Sequence, residues 1–301
     1  MALNTGYAYR ERVVTCAGDA PETVLDYLVR RHRHSSRAAW SARLDRGEVE
    51  IGGVRAHRAT VVLPQDKLVW HRPPWDEPAV DTRYAVVLAD DTLLAIAKPR
   101  GLPTMPAGGY LQHTLLTLVR TRWPEASPMH RLGRETSGLV LFARTRAARA
   151  ALQDAWRRHA VRKTYRALAT GVARCDAYDL DAPIGPVAHP LLGTVHAASL
   201  SGKPSRSRAR VLERRTEHTL FEVAIDTGRP HQIRIHLAFA GHPLVGDPLY
   251  TVGGAPRAGA LPGAGGYFLH AERLVFAHPV SGKTVALRAE PPVELRARDE
   301  A

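Results

Sequence analysis

The stretch Met129-His130-Arg131-Leu132-Gly133-Arg134-Glu135-Thr136-Ser137-Gly138-Leu139-Val140-Leu141-Phe142-Ala143-Arg144 decides how the rest of the chain is read. It joins a His-Arg pair, a polar turn from Gly133 to Gly138 and an uninterrupted apolar run, Leu139 to Ala143. An apolar run of that length, with Gly before it and Arg after it, predicts a strand buried on both faces. The turn ahead of it would present side chains at the mouth of a cleft, where functional residues concentrate. Physics alone also allows a purely structural loop feeding a core strand.

Working outward, the chain has 301 residues, 45% of them hydrophobic, enough for a substantial core in one large domain or in a small and a medium one. Its formal charge is +13 and its pI about 10.3, which points to a polyanionic partner. Only five of the 42 basic residues are lysines. The planar fork of arginine suits phosphate and guanine contacts. Charge by itself leaves both nucleic acid and an anionic membrane surface open. Cys16 and Cys175 form no CxxC and no disulfide framework, so a reducing compartment is expected. No secretory apolar region and no run of ~18 apolar residues is present, and a cytoplasmic monomer is the expectation.

A first unit is expected over residues 12–72. Val24, Leu25, Leu28 and Val29 repeat at helical spacing, and a basic turn, Arg30-Arg31-His32-Arg33-His34, leads to a second helix through Arg37, Trp40 and Leu44, ended by Gly47. Val49 and Ile51 alternate as a strand, Gly52-Gly53 makes a hairpin turn, and a later strand covers Leu68 to Trp70. Residues 73–79, with three prolines in six positions from Pro73 to Pro78, form a linker that no helix or central strand tolerates. From 80 to 297, short strands alternate with a few helices, notably Thr114–Trp123 and Thr145–His159. Gly253 to Gly266 reads as a surface loop.

The His130–Ala143 stretch resembles the signature of the RluA-type RNA pseudouridine synthases, H-R-L-D-x-x-T-S-G followed by an apolar strand. The likeness extends to Lys98-Pro99-Arg100-Gly101-Leu102-Pro103, to Lys163-Thr164-Tyr165-Arg166-Ala167-Leu168, to Thr227–Leu237 with Gly241–Tyr250, and to the closing segments at Leu269-His270-Ala271 and Phe276–Pro279. It runs from about 20 to 290, and the order of elements in the first unit is similar to the S4 RNA-binding module. The resemblance implies an α+β fold: a small S4-like α/β domain, then a catalytic domain with a mixed, mostly antiparallel sheet and a central RNA-binding cleft.

It also implies the reaction. Pseudouridine formation breaks the bond from ribose C1′ to uracil N1, turns the base and rebuilds the bond to C5, with no metal or other cofactor. It needs a flipped uridine and, by resemblance, a carboxylate beside the ribose. Arg131 would fill the space left by the flipped nucleotide, Tyr165 would stack on the base, and Arg229 would pair with the carboxylate. Gly133 stands where the family carries that aspartate. The candidate substitutes are Asp226, beside Thr227-Gly228-Arg229, and less favourably Glu135, expected in solvent, and Asp247, expected to cap its own loop. RNA contacts are expected from His130, Arg134, Thr136, Lys163, His231, Gln232 and Arg234, and from Arg30, Arg31, Arg33 and Arg37 of the first unit. Ribosomal RNA is favoured over transfer RNA. A second reading stays open, in which the chain binds RNA on the same fold without isomerising uridine.

Three competing signals are set aside. Ser281-Gly282-Lys283-Thr284 imitates the end of a phosphate-binding loop, but Ala277 occupies its earlier glycine position and the segment reads as a turn between strands. His231, His236 and His242 lack metal-site spacing and a nearby cysteine. Ser137 has no evident His-Asp partners for hydrolase chemistry.

Overall fold

A computed structural model of the chain describes residues 4–14, 21–32, 34–260 and 265–300. Cys16, Arg33 and part of the Gly253–Gly266 loop lie outside the described residues. The chain divides into two compact units, Met1–Glu77 and Pro78–Ala301.

In the first unit, helices Val24–Arg31 and Arg37–Asp45 pack beside a sheet whose strand order is Tyr7–Arg12, Lys67–Arg72, Val49–Ile51, Val54–Arg55. Thr23 and Ser36 cap the helices by accepting from the backbone N–H groups of Asp26 and Ala39. Gly52 and Gly53 both take positive φ, as the tight hairpin turn requires. The strand Tyr7–Arg12 pairs along all of Lys67–Arg72, so the unit begins ahead of residue 12. Its partly buried side chains carry too little apolar alternation for a sequence reading to find it. Val24, Leu28, Trp40, Leu44, Val49 and Leu68 form the core of this unit.

The second unit is built on a ten-stranded mixed sheet. Its main path runs Ala177–Leu180, Ser207–Arg214, His218–Ile225, Arg162–Thr170, Leu269–Ala277, Thr136–Ala143, Leu93–Lys98, Ala85–Ala89. The neighbours pair antiparallel, except Thr136–Ala143 with Leu269–Ala277, which run parallel with Thr136 opposite Leu269. All eight residues from Thr136 to Ala143 are buried. The two faces of that strand separate as the pleat demands. Val140 and Phe142 join Leu94, Ile96, Phe221 and Val223 on one face. Leu139, Leu141 and Ala143 join Leu93, Leu274, Phe276 and Leu152 on the other. Helix Arg146–Arg157 covers this second face through Ala148 and Leu152. Burial on both faces is why the sequence shows an unbroken apolar run where alternation would mark a half-exposed strand. Gly138 has φ +103, and a Cβ there would stand 2.3 Å from the Ala271 carbonyl oxygen. That close backbone approach lets two parallel strands meet at the head of the signature.

Among the elements not read from the sequence are a hairpin and a helix. Ile184–His189 and Gly193–Ala198 form a separate hairpin. Gln232–Phe239 is a helix with seven of its eight residues buried, Phe239 being the exposed one. A helix buried all round shows no polar face from which periodicity could be read. Among the described residues no helix is long and apolar enough to cross a membrane, and no cluster of His, Cys, Asp and Glu is placed to hold a metal ion.

Candidate active-site cleft

The polar turn of the signature is held from behind. Lys98, 2% exposed, donates its three Nζ hydrogens to the carbonyl oxygens of Pro99, Leu102 and Arg134, at 2.9, 2.6 and 3.1 Å. Burial pulls its pKa down to about 7, opposed by Glu135, yet three carbonyl acceptors are satisfied together only by the ammonium form. Thr104 holds Leu132 through both backbone groups. The Lys-Pro-Arg-Gly-Leu-Pro segment is therefore the support on which the His-Arg-Leu-Gly-Arg turn is mounted.

Across from it, the Thr227-Gly228-Arg229 loop folds around one side chain. The Oε1 of Gln232 accepts from the Thr227 hydroxyl and the Arg229 N–H, while its Nε2 donates to the Arg206 carbonyl and the Ser207 hydroxyl. His231 sits in the left-handed region at φ 58 ahead of the buried helix. Tyr250 spends its hydroxyl proton on the His196 carbonyl, so His231 Nδ1–H must donate to Tyr250 at 2.8 Å. That tautomer leaves Nε2 of His231 with a lone pair. Burial, reinforced by Arg234, holds its pKa down at about 3 and keeps the ring neutral.

Between these loops lies a cleft of about 120 Å³, lined by Arg131, Leu132, Gly133, Thr136, Tyr165, Ile225, Arg229 and Tyr267, with the His231–Arg234 turn and Leu269 closing it. The lining contains three arginines and no carboxylate. Arg131 is exposed and has no ion-pair partner among the described residues. Tyr165 is 8% exposed, and burial pushes its phenol up to about 12. Arg229 donates from Nε and Nη2 to the Pro204 carbonyl.

The sequence profile of the RNA pseudouridylate synthases matches residues 92–239. An RNA pseudouridine synthase of Synechocystis, named as uncharacterised, is 41% identical over 90% of this chain and 95% of its own length. The chain belongs to the RNA pseudouridine synthase family. RNA pseudouridine synthase 5 of rice is 34% identical over 99% of this chain and 90% of its own length. The solved structure of human RNA pseudouridylate synthase domain containing 1 shares the fold, with a TM-score of 0.55 at 24% identity, over 72% of this chain and 87% of that one. This synthase is accordingly an isomerase acting on RNA, and its cleft is the place to look for the chemistry.

Several expected site residues sit elsewhere or do something else. The Asp226 carboxylate, at the end of a strand, is 3.1 Å from Arg208 and 4.0 Å from Arg206 and does not line the cleft. Glu135 is not in solvent: its side chain is 12% exposed and lies between Arg134 and Arg100. Asp247 caps its own turn, accepting from the N–H groups of Leu249 and Tyr250, and it also grips Arg234 with two bonds of 2.7 Å. Arg234, expected to meet RNA, is thus a buried structural cation in the cleft wall. Gln232, likewise expected to meet RNA, is spent on folding its loop.

His130 turns inward as well. Its Nε2 accepts from the Leu141 N–H, and its ring stacks on Trp156 at 5.4 Å. Arg134 bonds to Glu135 and Tyr110. Lys163 is half-buried, its pKa lowered by burial against the pull of Asp226. Arg30, Arg31 and Arg37 are paired with Glu22, Glu11 and Asp26 on the surface of the first unit. His236 and His242 bond to backbone carbonyls of Ala182 and Thr170.

Two contacts escaped the sequence reading. Ser137 does have a histidine partner: its Oγ lies 2.8 Å from Nδ1 of His270, directly opposite it on the parallel strand. The other nitrogen of His270 donates to the Ala289 carbonyl, so no carboxylate orients the ring, and the buried pair staples two strands. The second is made by Tyr267, 3% exposed, just ahead of the strand Leu269–Ala277. Parallel pairing sets the residues ahead of Thr136 beside those ahead of Leu269, which brings Gly133 and Tyr267 together. The Tyr267 oxygen lies 2.6 Å from where a Cβ on Gly133 would stand. A small residue in a motif turn, matched to an aromatic before a partner strand, was the available signal.

The histidines give the native state a pH limit. Burial, with Lys163 nearby, depresses the His130 pKa to about 4. In the unfolded chain it would titrate near 6.5. Stability from the neutral ring is therefore complete above pH ~6.5 and is lost as pH falls towards ~4, by roughly 3 kcal/mol. His231 acts in the same direction. Urea unfolding followed across this range should show a shallower pH slope in His130→Asn than in the native sequence, and equal slopes would show that His130 is solvated in the folded state.

Proposed function

We propose that the chain isomerises a uridine of ribosomal RNA, held out of its stack in the cleft between the signature turn and the Thr227-Gly228-Arg229 loop. The observation that carries this reading is the cleft lining. An aromatic platform, Tyr165, faces a space bordered by Arg131, which has no ion-pair partner among the described residues, and by Arg229, which suits a flipped base on a polyanionic strand. Stacking on Tyr165 would contribute ~1–3 kcal/mol, and Arg131 would occupy the gap that the base leaves. The preference for ribosomal RNA draws on relatives such as ribosomal large subunit pseudouridine synthase D of Neisseria meningitidis, 38% identical over 81% of this chain and 66% of its own length. The first unit, in its S4-like reading, adds phosphate contacts from Arg30, Arg31 and Arg37, whose ion pairs are exposed enough to exchange a carboxylate for a phosphate.

The test is pseudouridine mapping on unmodified ribosomal and transfer RNA transcripts incubated with the protein. A single defined ribosomal site is the expected result. Modification of transfer RNA alone would move the substrate class, and tight RNA binding with no product would favour the second reading, an RNA binder on a synthase fold. Affinity for the ribosomal transcript should fall steeply between ~50 and ~200 mM salt if the arginines contact phosphates. A nearly flat salt dependence would remove the phosphate-tracking role of the first unit.

A further inference from the structure

From the cleft lining we infer that the phenol of Tyr267 is the catalytic nucleophile of this synthase. The inference rests on the isomerase reading above and asks which group performs the step. Among the lining residues no carboxylate is present, so the candidates are the hydroxyl of Thr136, the phenols of Tyr165 and Tyr267 and the imidazole of His231. His231 is anchored through Nδ1 to Tyr250, which leaves Nε2 to take up a proton, and the Tyr165 ring is the stacking platform. The Tyr267 oxygen stands 2.6 Å from the point where a side chain on Gly133 would begin, at the mouth of the signature turn. It is 3.3 Å from the Thr136 hydroxyl. The Arg234 guanidinium lies 4.4 Å from the centre of its ring, locked there by Asp247. A fixed cation of this kind stabilises negative charge as it develops on the phenol oxygen. Tyrosine is an established type of covalent nucleophile at sugar carbons.

The chemistry balances without a co-reactant. In the first step the Tyr267 oxygen bonds to ribose C1′, the C1′–N1 bond breaks with its electron pair on uracil, and the phenolic proton passes to N1. The free base turns within the cleft. In the second step C5 of uracil bonds to C1′, the bond from C1′ to the Tyr267 oxygen breaks with its pair on oxygen, and the proton on C5 goes to that oxygen. The product carries a C1′–C5 bond and an N1–H, and Tyr267 is restored as the phenol.

The experiment is a rate comparison on the RNA transcript that the unaltered protein modifies, using Tyr267→Phe and a protein carrying difluorotyrosine at position 267. Phe keeps the ring and its packing, so the unfolding midpoint and RNA affinity should hold while the rate falls by roughly 100-fold or more. Difluorotyrosine, a more acidic phenol, should shift the pH–rate profile to lower pH, which a purely structural tyrosine would not do. A rate within a few-fold in Tyr267→Phe, or an unmoved pH profile, overturns the assignment and leaves the isomerase reading standing. An unaltered protein that modifies no ribosomal or transfer RNA overturns both.

Discussion

Asp247→Ala is expected to lower the free energy of unfolding by about 3–5 kcal/mol. The Asp247 side chain is fully buried and the Arg234 side chain is 3% exposed. The substitution strands a guanidinium without its counter-charge and leaves the N–H groups of Leu249 and Tyr250 without their acceptor. Asp247→Asn should recover only part of the loss, because an amide can accept from those N–H groups but cannot neutralise the arginine. Combining Asp247→Ala with Arg234→Met should be less damaging than Asp247→Ala alone, since a buried ion pair replaced by apolar groups is often close to neutral. Urea denaturation of the three variants measures this. A loss below ~1 kcal/mol for Asp247→Ala would show that water reaches Arg234.

Gly133→Ala should destabilise the protein by about 1–3 kcal/mol in the native background and far less alongside Tyr267→Phe. The new methyl would stand 2.6 Å from the Tyr267 oxygen, and once that oxygen is gone the nearest ring atom is the 3.9 Å neighbour, an ordinary contact. The phenol cannot swing aside freely, because Thr136 bonds to its oxygen and Arg234 covers its ring. A double-mutant cycle should give a coupling of ~1–2 kcal/mol between the two sites. The same crowding predicts that Gly133→Asp by itself yields a strained protein and no gain in catalysis. Additive effects of Gly133→Ala and Tyr267→Phe would mean that the phenol has room to move.

The parts of this molecule legible in the sequence are those whose physics is local. Thr114 and Thr145 announce helix starts by capping them, and the Leu139–Ala143 run announces a strand buried on both sides. The motifs at Lys98, His130, Tyr165 and Thr227 led to the cleft. What each side chain does there was less legible, because it depends on partners far along the chain. His130 and Gln232 look like contacts for a ligand and are instead consumed by Leu141, Arg206 and Ser207. Asp226 is next to the Thr-Gly-Arg loop in sequence, but its carboxylate faces Arg208 rather than the cleft. Tyr267 was passed over because only the parallel register of Thr136 with Leu269 sets it beside Gly133.

That parallel register has a consequence for synthesis on the ribosome. Thr136 and Tyr267 are 131 positions apart, so at 5–20 residues per second roughly 7–26 s separate their emergence. Throughout that interval the edge of Thr136–Ala143 that takes Leu269–Ala277 in the finished sheet has no partner strand, and an unpaired edge is an open template for pairing with a neighbouring chain. The cleft cannot close until Tyr267 and Leu269 have been made, and the ion pair between Arg166 and Glu300 ties the segment around position 300 to the central sheet. A chain stopped before Leu269 would carry every earlier motif and no catalytic pocket, with an aggregation-prone edge in its place.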